Sequence, residues 1–256
     1  MFIVLLLISG TVSAQKADPD FHLYLLAGQS NMAGRGQPDS ASKQIDPQIW
    51  MLDKDNQWIP ATDPVHFDKP GIAGVGLAIA FAKEMVRGNA TIRIGLIPCA
   101  VGGSPIRVWE PDSAYVAVNP VILHPYDDAA KRMNIAMRSG VLKGVLWHQG
   151  ESDNNPKDAP VYLGKLETLI TRLRTVAHDP ALPFIAGETG RFNNRTAGPI
   201  NAVIGQLPRR VPNTAVAGSA GLTDKGDSIH FNTASLRLLG VRYAAAMKQV
   251  QASQHN

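Results

Sequence analysis

A single cysteine, Cys99, stands in this chain of 256 residues, so no disulfide can form within it and the fold must rest on its core. Charge is sparse too. Only 18% of the residues are Asp, Glu, Lys or Arg, and the net charge of +4 is gathered into no basic run. A nucleic-acid surface needs its Lys and Arg along one stripe, so scattered charges here describe a solvated surface. No Walker-type glycine loop is present, which argues against a nucleotide enzyme. Around His148 no second His or carboxylate falls at a ligand spacing, so packing is the reading for His148, and neither metal nor cofactor is expected. Internal repeats, low-complexity tracts and linkers are missing as well. No apolar run reaches the ~20 residues of a membrane-spanning helix.

What is present starts with MFIVLLLISGTVSA, residues 1–14. Its apolar stretch, followed by the small residues Val12, Ser13 and Ala14, has the form of a secretory signal peptide, although no Lys or Arg precedes the apolar run. The expectation is therefore a mature chain of residues 15–256, secreted or periplasmic, with no stable membrane anchor after processing. With 45% hydrophobic residues, that length suits one domain with a substantial core. Cys99, at the end of a strand pattern, reads as a small buried hydrophobe.

The elements alternate. Residues 21–27 (FHLYLLA) form an apolar run stopped by Gly28, the pattern of a strand covered on both faces. Further strands are predicted at 48–52, 92–98, 141–147, 184–186 and 215–219, and helices at 75–87, 127–138, 159–176, 199–207 and 234–250. In 159–176, Tyr162, Leu163, Leu166, Leu169, Ile170 and Leu173 recur at helical spacing. Residues 35–73 have little periodicity, and a connection that long inside a compact domain is often functional. Strand and helix in alternation give a parallel sheet with helices on both faces.

Loops of unusual composition follow the predicted strands: GQSN, VGGS, HQGESD and GETGRF; LTDKGDSIHF precedes the last helix. In a doubly wound sheet these loops meet at the carboxyl edge, where ligands bind. A serine there needs a base and an oriented third group to become a nucleophile. Ser30 in GQSN, with Asp227 and His230 in DSIH, supplies all three types. Ser30 also suits a helix N-cap, and the two roles are compatible. Glu151 in HQGESD competes with Asp227 for the place of the triad acid.

GQSNM (28–32), GGS (102–104), WHQGESD (147–153) and DSIH (227–230) resemble the blocks of SGNH-type esterases. Within that group the chain is similar to carbohydrate esterase family six and to sialic-acid-specific acetylesterase-like domains. Two departures from the lipase-like pattern, Gln29 in place of aspartate and Gln149 in place of asparagine, suit the sugar-esterase branch. The resemblance implies a flavodoxin-like three-layer α/β/α sandwich with a mostly parallel sheet, and removal of acetyl groups from acetylated carbohydrate. Ser30 would attack the ester, His230 would carry the proton, and Asp227 would fix the imidazole tautomer. The oxyanion donors expected are the N–H groups of Ser30 and of Gly102 or Gly103, together with the Gln149 amide.

Asn31, Arg35, Arg107, Trp109 and Glu110 are candidates to line the sugar site. Trp109 suits stacking on a pyranose ring or burial in the core. Arg107 and Arg191 suit substrate contacts or structural ion pairs equally. The expected activity is deacetylation of acetylated xylan or its fragments. A sialate O-acetylesterase and a non-catalytic sugar-binding module on the same scaffold are the alternatives, and the intact Ser30, Asp227 and His230 argue against the last.

Overall fold

The computed structural model describes residues 16–116, 121–192 and 198–254. The leader expected at residues 1–14 lies outside them. In chain order the elements are β1 (Asp18–Gly28), α1 (Ser30–Ala33), β2 (Ile49–Leu52), β3 (Trp58–Pro60), α2 (Ala78–Val86), β4 (Arg93–Pro98), β5 (Tyr115–Val116), β6 (Ile122–Leu123) and α3 (Pro125–Ala136). They continue with β7 (Gly140–His148), α4 (Ala159–Val176), β8 (Phe184–Gly187), α5 (Ile200–Ile204), α6 (Leu207–Arg210), β9 (Thr214–Ala217) and α7 (Thr233–Ser253).

β1 shows why the molecule has three layers. Phe21, Leu23, Leu25 and Ala27 enter one apolar cluster, with α3, α4, α5 and α6. Tyr24 and Leu26 enter a second, with α2 and α7. Alternate residues of a strand point to opposite faces, so a continuous apolar run is stable only between two layers. The main sheet runs β3-β2-β4-β1-β7-β8-β9, and every adjacent pair is parallel except β2 with β3. This is the flavodoxin-like α/β/α arrangement. From β1 the chain moves to β2 and β4 on one side, then crosses to β7 on the other. The reversal of strand order falls between β1 and β7, and sheets of this kind bind ligands outside the carboxyl ends of their strands at such a point.

Several boundaries differ from the sequence reading. α3 starts at Pro125, two residues before the expected start, because proline is well placed in a first helical turn. The helix expected at 199–207 is divided into α5 and α6 around Gly205 and Gln206, with Pro208 in the second. The long segment 35–73 is not structureless. It carries a 3-10 turn (Ser40–Lys43), β2 and β3, the last pairing antiparallel with β2 at the sheet edge. The β5–β6 hairpin is a further element that the pattern did not announce.

Candidate active site

Everything at this edge of the sheet follows from the turn that ends β1. Gly28 has φ 131°, and a Cβ there would collide with the carbonyl of His148. Only glycine permits that approach. The turn is pinned on both flanks: Gln29 N–H donates to His148 O at 2.9 Å and Val101 N–H to Gly28 O at 2.9 Å. Ser30 is thereby held at the start of α1, 7% exposed, at the edge where β1, β4 and β7 end.

His230 and Asp227 arrive from the segment before α7. Asp227 Oδ1 accepts the backbone N–H groups of Ile229 (3.0 Å) and His230 (2.8 Å), and Ser228 adopts φ 57° to close the turn. Asp227 Oδ2 lies 2.7 Å from His230 Nδ1, and His230 Nε2 lies 3.0 Å from Ser30 Oγ. Burial alone would raise the Asp227 carboxyl. The hydrogen bonds from the His230 backbone, its imidazole and Ile229 outweigh it and hold the group well below the usual carboxylate range. An ionised Asp227 accepts the Nδ1 proton, so Nε2 presents its lone pair to Ser30.

The expected oxyanion donors divide. Gln149 Nε2 donates to Gln29 Oε1 (3.0 Å), Ser104 O (3.3 Å) and Asp153 Oδ2 (2.5 Å), so its two protons are already shared among three acceptors. Gly102 N–H donates to Asp68 Oδ2 at 2.9 Å. These two expectations are corrected: neither group has a proton to spare for an oxyanion. Among the described residues, Ser30 N–H and Gly103 N–H donate to nothing. Gly103 is exposed and has φ 86°.

Gln149 instead joins three loops. Gln29 Oε1 also accepts Ser152 N–H at 3.3 Å, and Asp153 Oδ2 accepts Ile106 N–H at 2.9 Å. The loops after β1, β4 and β7 are thus tied to one another by side chains of their own motifs. Asp153 and Asp68 are the members that sequence reasoning missed. Asp153 stood in the quoted HQGESD block, whereas nothing in the sequence around Asp68 marked it.

Other assignments also change. Trp109 is 1% exposed, meets Trp147 edge to face at 5.0 Å and donates to Ser104 Oγ at 3.0 Å. It is core, not a stacking platform. Arg35 forms a buried ion pair with Asp68 at 2.8 Å, the two side chains being 4% and 2% exposed. Through Asp68, which also accepts Gly102 N–H, it braces the loop after β4. Asn31 is fully buried, directed at the His230 segment and at Glu151. Glu110 pairs with Lys165 at 3.1 Å and Arg191 with Glu188 at 2.6 Å, while Arg107 is exposed. Cys99 is buried, and burial pushes its thiol up to about 12. His148 is buried, which lowers it to about 3 and keeps it neutral. No group of three or more His, Cys, Asp or Glu among the described residues is arranged to hold a metal ion, and no helix among them is long and apolar enough to cross a membrane.

Comparison with known proteins agrees with this frame. The family described as carbohydrate esterase, sialic acid-specific acetylesterase, matches residues 20–249. A probable carbohydrate esterase of Arabidopsis thaliana is 32% identical over 259 residues, spanning 91% of this chain and 92% of its own. The X-ray structure of an Arabidopsis thaliana protein aligns with TM-score 0.78 and 31% identity over 91% of this chain and 99% of that one. NanS aligns with TM-score 0.72 and 18% identity, over 92% of this chain and 99% of its own. A carbohydrate acetylesterase from Xanthomonas citri follows with TM-score 0.68 and 21% identity, over 90% of this chain and 57% of its own. Those last two likenesses speak for the fold alone. The match over residues 20–249, joined to a relative 32% identical along nearly its whole length, establishes that the chain belongs to the carbohydrate esterases of the sialic acid-specific acetylesterase family.

Proposed function

We propose that this protein hydrolyses O-acetyl esters of sugars by a serine mechanism, with acetylated xylan fragments as the first substrate class. The observation that carries the reading is the continuous relay Asp227 Oδ2 to His230 Nδ1 at 2.7 Å and His230 Nε2 to Ser30 Oγ at 3.0 Å. Ser30 Oγ attacks the acetyl carbonyl carbon as its proton passes to His230 Nε2. The tetrahedral oxyanion is met by the N–H groups of Ser30 and Gly103, the two unspent donors among those expected. Collapse breaks the bond to the sugar oxygen, which takes the proton from His230. Water, activated by the same imidazole, then releases acetate from the acetyl-Ser30 ester.

A second reading, O-acetylated sialic acid, is favoured by charge. A cavity of about 340 Å³ lies at the carboxyl end of β4, lined in part by Lys54, Lys131, Arg132, Asp68 and Asp128. Asp68 is paired with Arg35 and Lys54 with Asp55, which leaves Lys131 and Arg132 against Asp128, a small positive balance that suits a carboxylate on the sugar. The family's description points the same way.

Acetate release from acetylated xylan oligosaccharides, acetylated glucose and O-acetyl sialic acid decides between them. The first reading expects the xylan fragments to have the highest kcat/KM; a preference for the acidic sugar that disappears in high salt moves the assignment to the second. In either case acetyl esters should exceed octanoyl esters by at least about 10²-fold. The tied polar loops around Gln29, Ser104, Gln149 and Asp153 offer a long acyl chain little apolar surface to bury against. Equal kcat/KM for the two esters contradicts the reading. Incubation with a chelator should leave the rate unchanged, because the relay uses no metal ligand; loss of activity restored by zinc would overturn that step.

A further inference from the structure

We propose that Asn31 and Glu151 are positioning residues that clamp the His230 segment onto Ser30. The inference rests on the serine mechanism above and adds to it what keeps its base in place. Asn31 Oδ1 accepts the N–H of Phe231 at 3.1 Å, and Asn31 Nδ2 donates to the carbonyl of Ile229 at 3.1 Å. One side-chain amide therefore grips the peptide groups on both sides of His230, as a neighbouring strand would. Its second Nδ2 proton goes to Glu151 Oε1 at 2.6 Å.

The clamp matters because the stretch that carries Asp227 and His230 is exposed and, the relay to Ser30 apart, is tied among the described residues only to itself and at its flanks. Lys225 to Ile229 are exposed, and the ties from Asp224 to Phe231 and from Lys225 N–H to His230 O are internal to the segment. Phe231 is fully buried, and the ends of the segment are tied to the start of α7, where Thr223 N–H donates to Ser235 Oγ at 2.8 Å and Asn232 Nδ2 donates to Asp224 O at 3.3 Å. Those ties lie at the flanks; the two bonds from Asn31 act on the peptide groups beside His230 itself and fix the direction of the chain there. Asn31 is itself adjacent to Ser30, so nucleophile and base are registered to each other through one side chain.

Glu151 decides which way the Asn31 amide faces. Turned over, Asn31 would set its oxygen against the carboxylate and its N–H₂ against the Phe231 N–H, leaving buried groups without partners. An acceptor at Glu151 therefore selects the gripping orientation. His148 does not supply a competing donor. Tyr243 Oη gives its proton to Trp147 O at 2.7 Å, so His148 Nδ1–H donates to Tyr243 Oη at 3.0 Å. His148 Nε2, left with a lone pair, faces Glu151 Oε1 at 3.8 Å without donating to it. Among the described residues, Asn31 is the one other residue that donates to Glu151. Glu151 Oε1 is thus engaged by Asn31, Glu151 Oε2 is buried without a partner among the described residues, and Asp227 Oδ2 is engaged by His230.

The test is a double-mutant cycle on kcat, with active sites counted by a covalent serine-directed inhibitor. Asn31→Ala and Glu151→Ala should each lower kcat by about 10²-fold, the scale of a catalytic group displaced by roughly 1 Å, with KM changed less than twofold. Since Glu151 acts through Asn31, the double variant should lose the same ~10²-fold and not ~10⁴-fold. Glu151→Gln keeps an oxygen for Asn31 and should remain within about fivefold of the parent; it also covers the case of an alanine variant that does not fold. Additive losses, a loss seen in KM, or a loss confined to the count of active sites would overturn the clamp. An active Ser30→Ala protein would instead overturn the serine mechanism, so the two failures are separable.

Discussion

Ser30→Ala is expected to reduce acetate release by about 10⁶-fold, to the floor that remains when a serine hydrolase loses its nucleophile. The effect is this large because no other group on the relay can replace Ser30 Oγ. His230 Nε2 is directed at it from 3.0 Å, and with the hydroxyl gone His230 has nothing to deprotonate except water. The residue left behind still has its backbone N–H, so oxyanion binding persists and a residual rate of about 10³ to 10⁴ over water survives. The fold should be undisturbed. The Ser30 hydroxyl makes its side-chain hydrogen bond to His230, and the turn is held by backbone bonds from Gln29 and Val101. Acetate release and a thermal melt, measured on the same preparation, check both halves. A variant that melts like the parent and retains most of its activity would end the serine reading. His230→Ala should fall to a similar floor, and the two losses should not add, because they disable one unit.

The parts of the site that could be read from sequence are those determined locally. β1 was legible because its short apolar run stops at Gly28, as a strand covered on both faces does, and its alternate residues fill the two clusters. Asp227 and His230 were legible because three residues of chain bring a carboxylate to an imidazole with little help from elsewhere. Ser30 was legible from its glycine turn. α4 followed from its spacing alone, and its observed bounds equal the expected ones.

What escaped depends on partners far away in the chain. Whether Gln149 has a proton to offer an oxyanion is decided by Gln29, Ser104 and Asp153, on three different loops. Whether Gly102 does is decided by Asp68, in the segment that looked unstructured. Motif spacing carries residue types to the right edge of the sheet, but it does not say which atoms are already engaged there. Trp109 illustrates the same limit. Its side chain suits a sugar face or a core equally, and the deciding neighbours are Ser104 and Trp147. β3 was missed because three residues next to Asp, Asn and Pro have too little pattern of their own, and they become a strand only by pairing with β2.

Asp227→Asn is expected to lower kcat by about 10⁴-fold, and Glu151→Gln by far less, a pair of results that would decide which carboxylate serves the imidazole. The number is the general cost of the wrong tautomer in a serine-histidine-aspartate system. Here the reason can be followed atom by atom. Asp227 Oδ2 accepts the Nδ1 proton of His230 at 2.7 Å, so Nε2 is free to take the proton of Ser30. An asparagine can keep its oxygen on the N–H groups of Ile229 and His230, where Asp227 Oδ1 now lies, and the turn survives. Its N–H₂ then meets Nδ1 and donates to it. The imidazole proton moves to Nε2, which now donates toward Ser30 and can no longer act as a base. KM should change little, because no contact to the sugar has been removed. Glu151, by contrast, touches Asn31 and not His230, and a glutamine keeps an oxygen for that amide. Nitrogen-15 spectra of the imidazole supply a direct check: the proton should reside on Nδ1 in the parent and in Glu151→Gln, and on Nε2 in Asp227→Asn. A nearly normal Asp227→Asn beside an inactive Glu151→Gln would exchange the roles of the two acids.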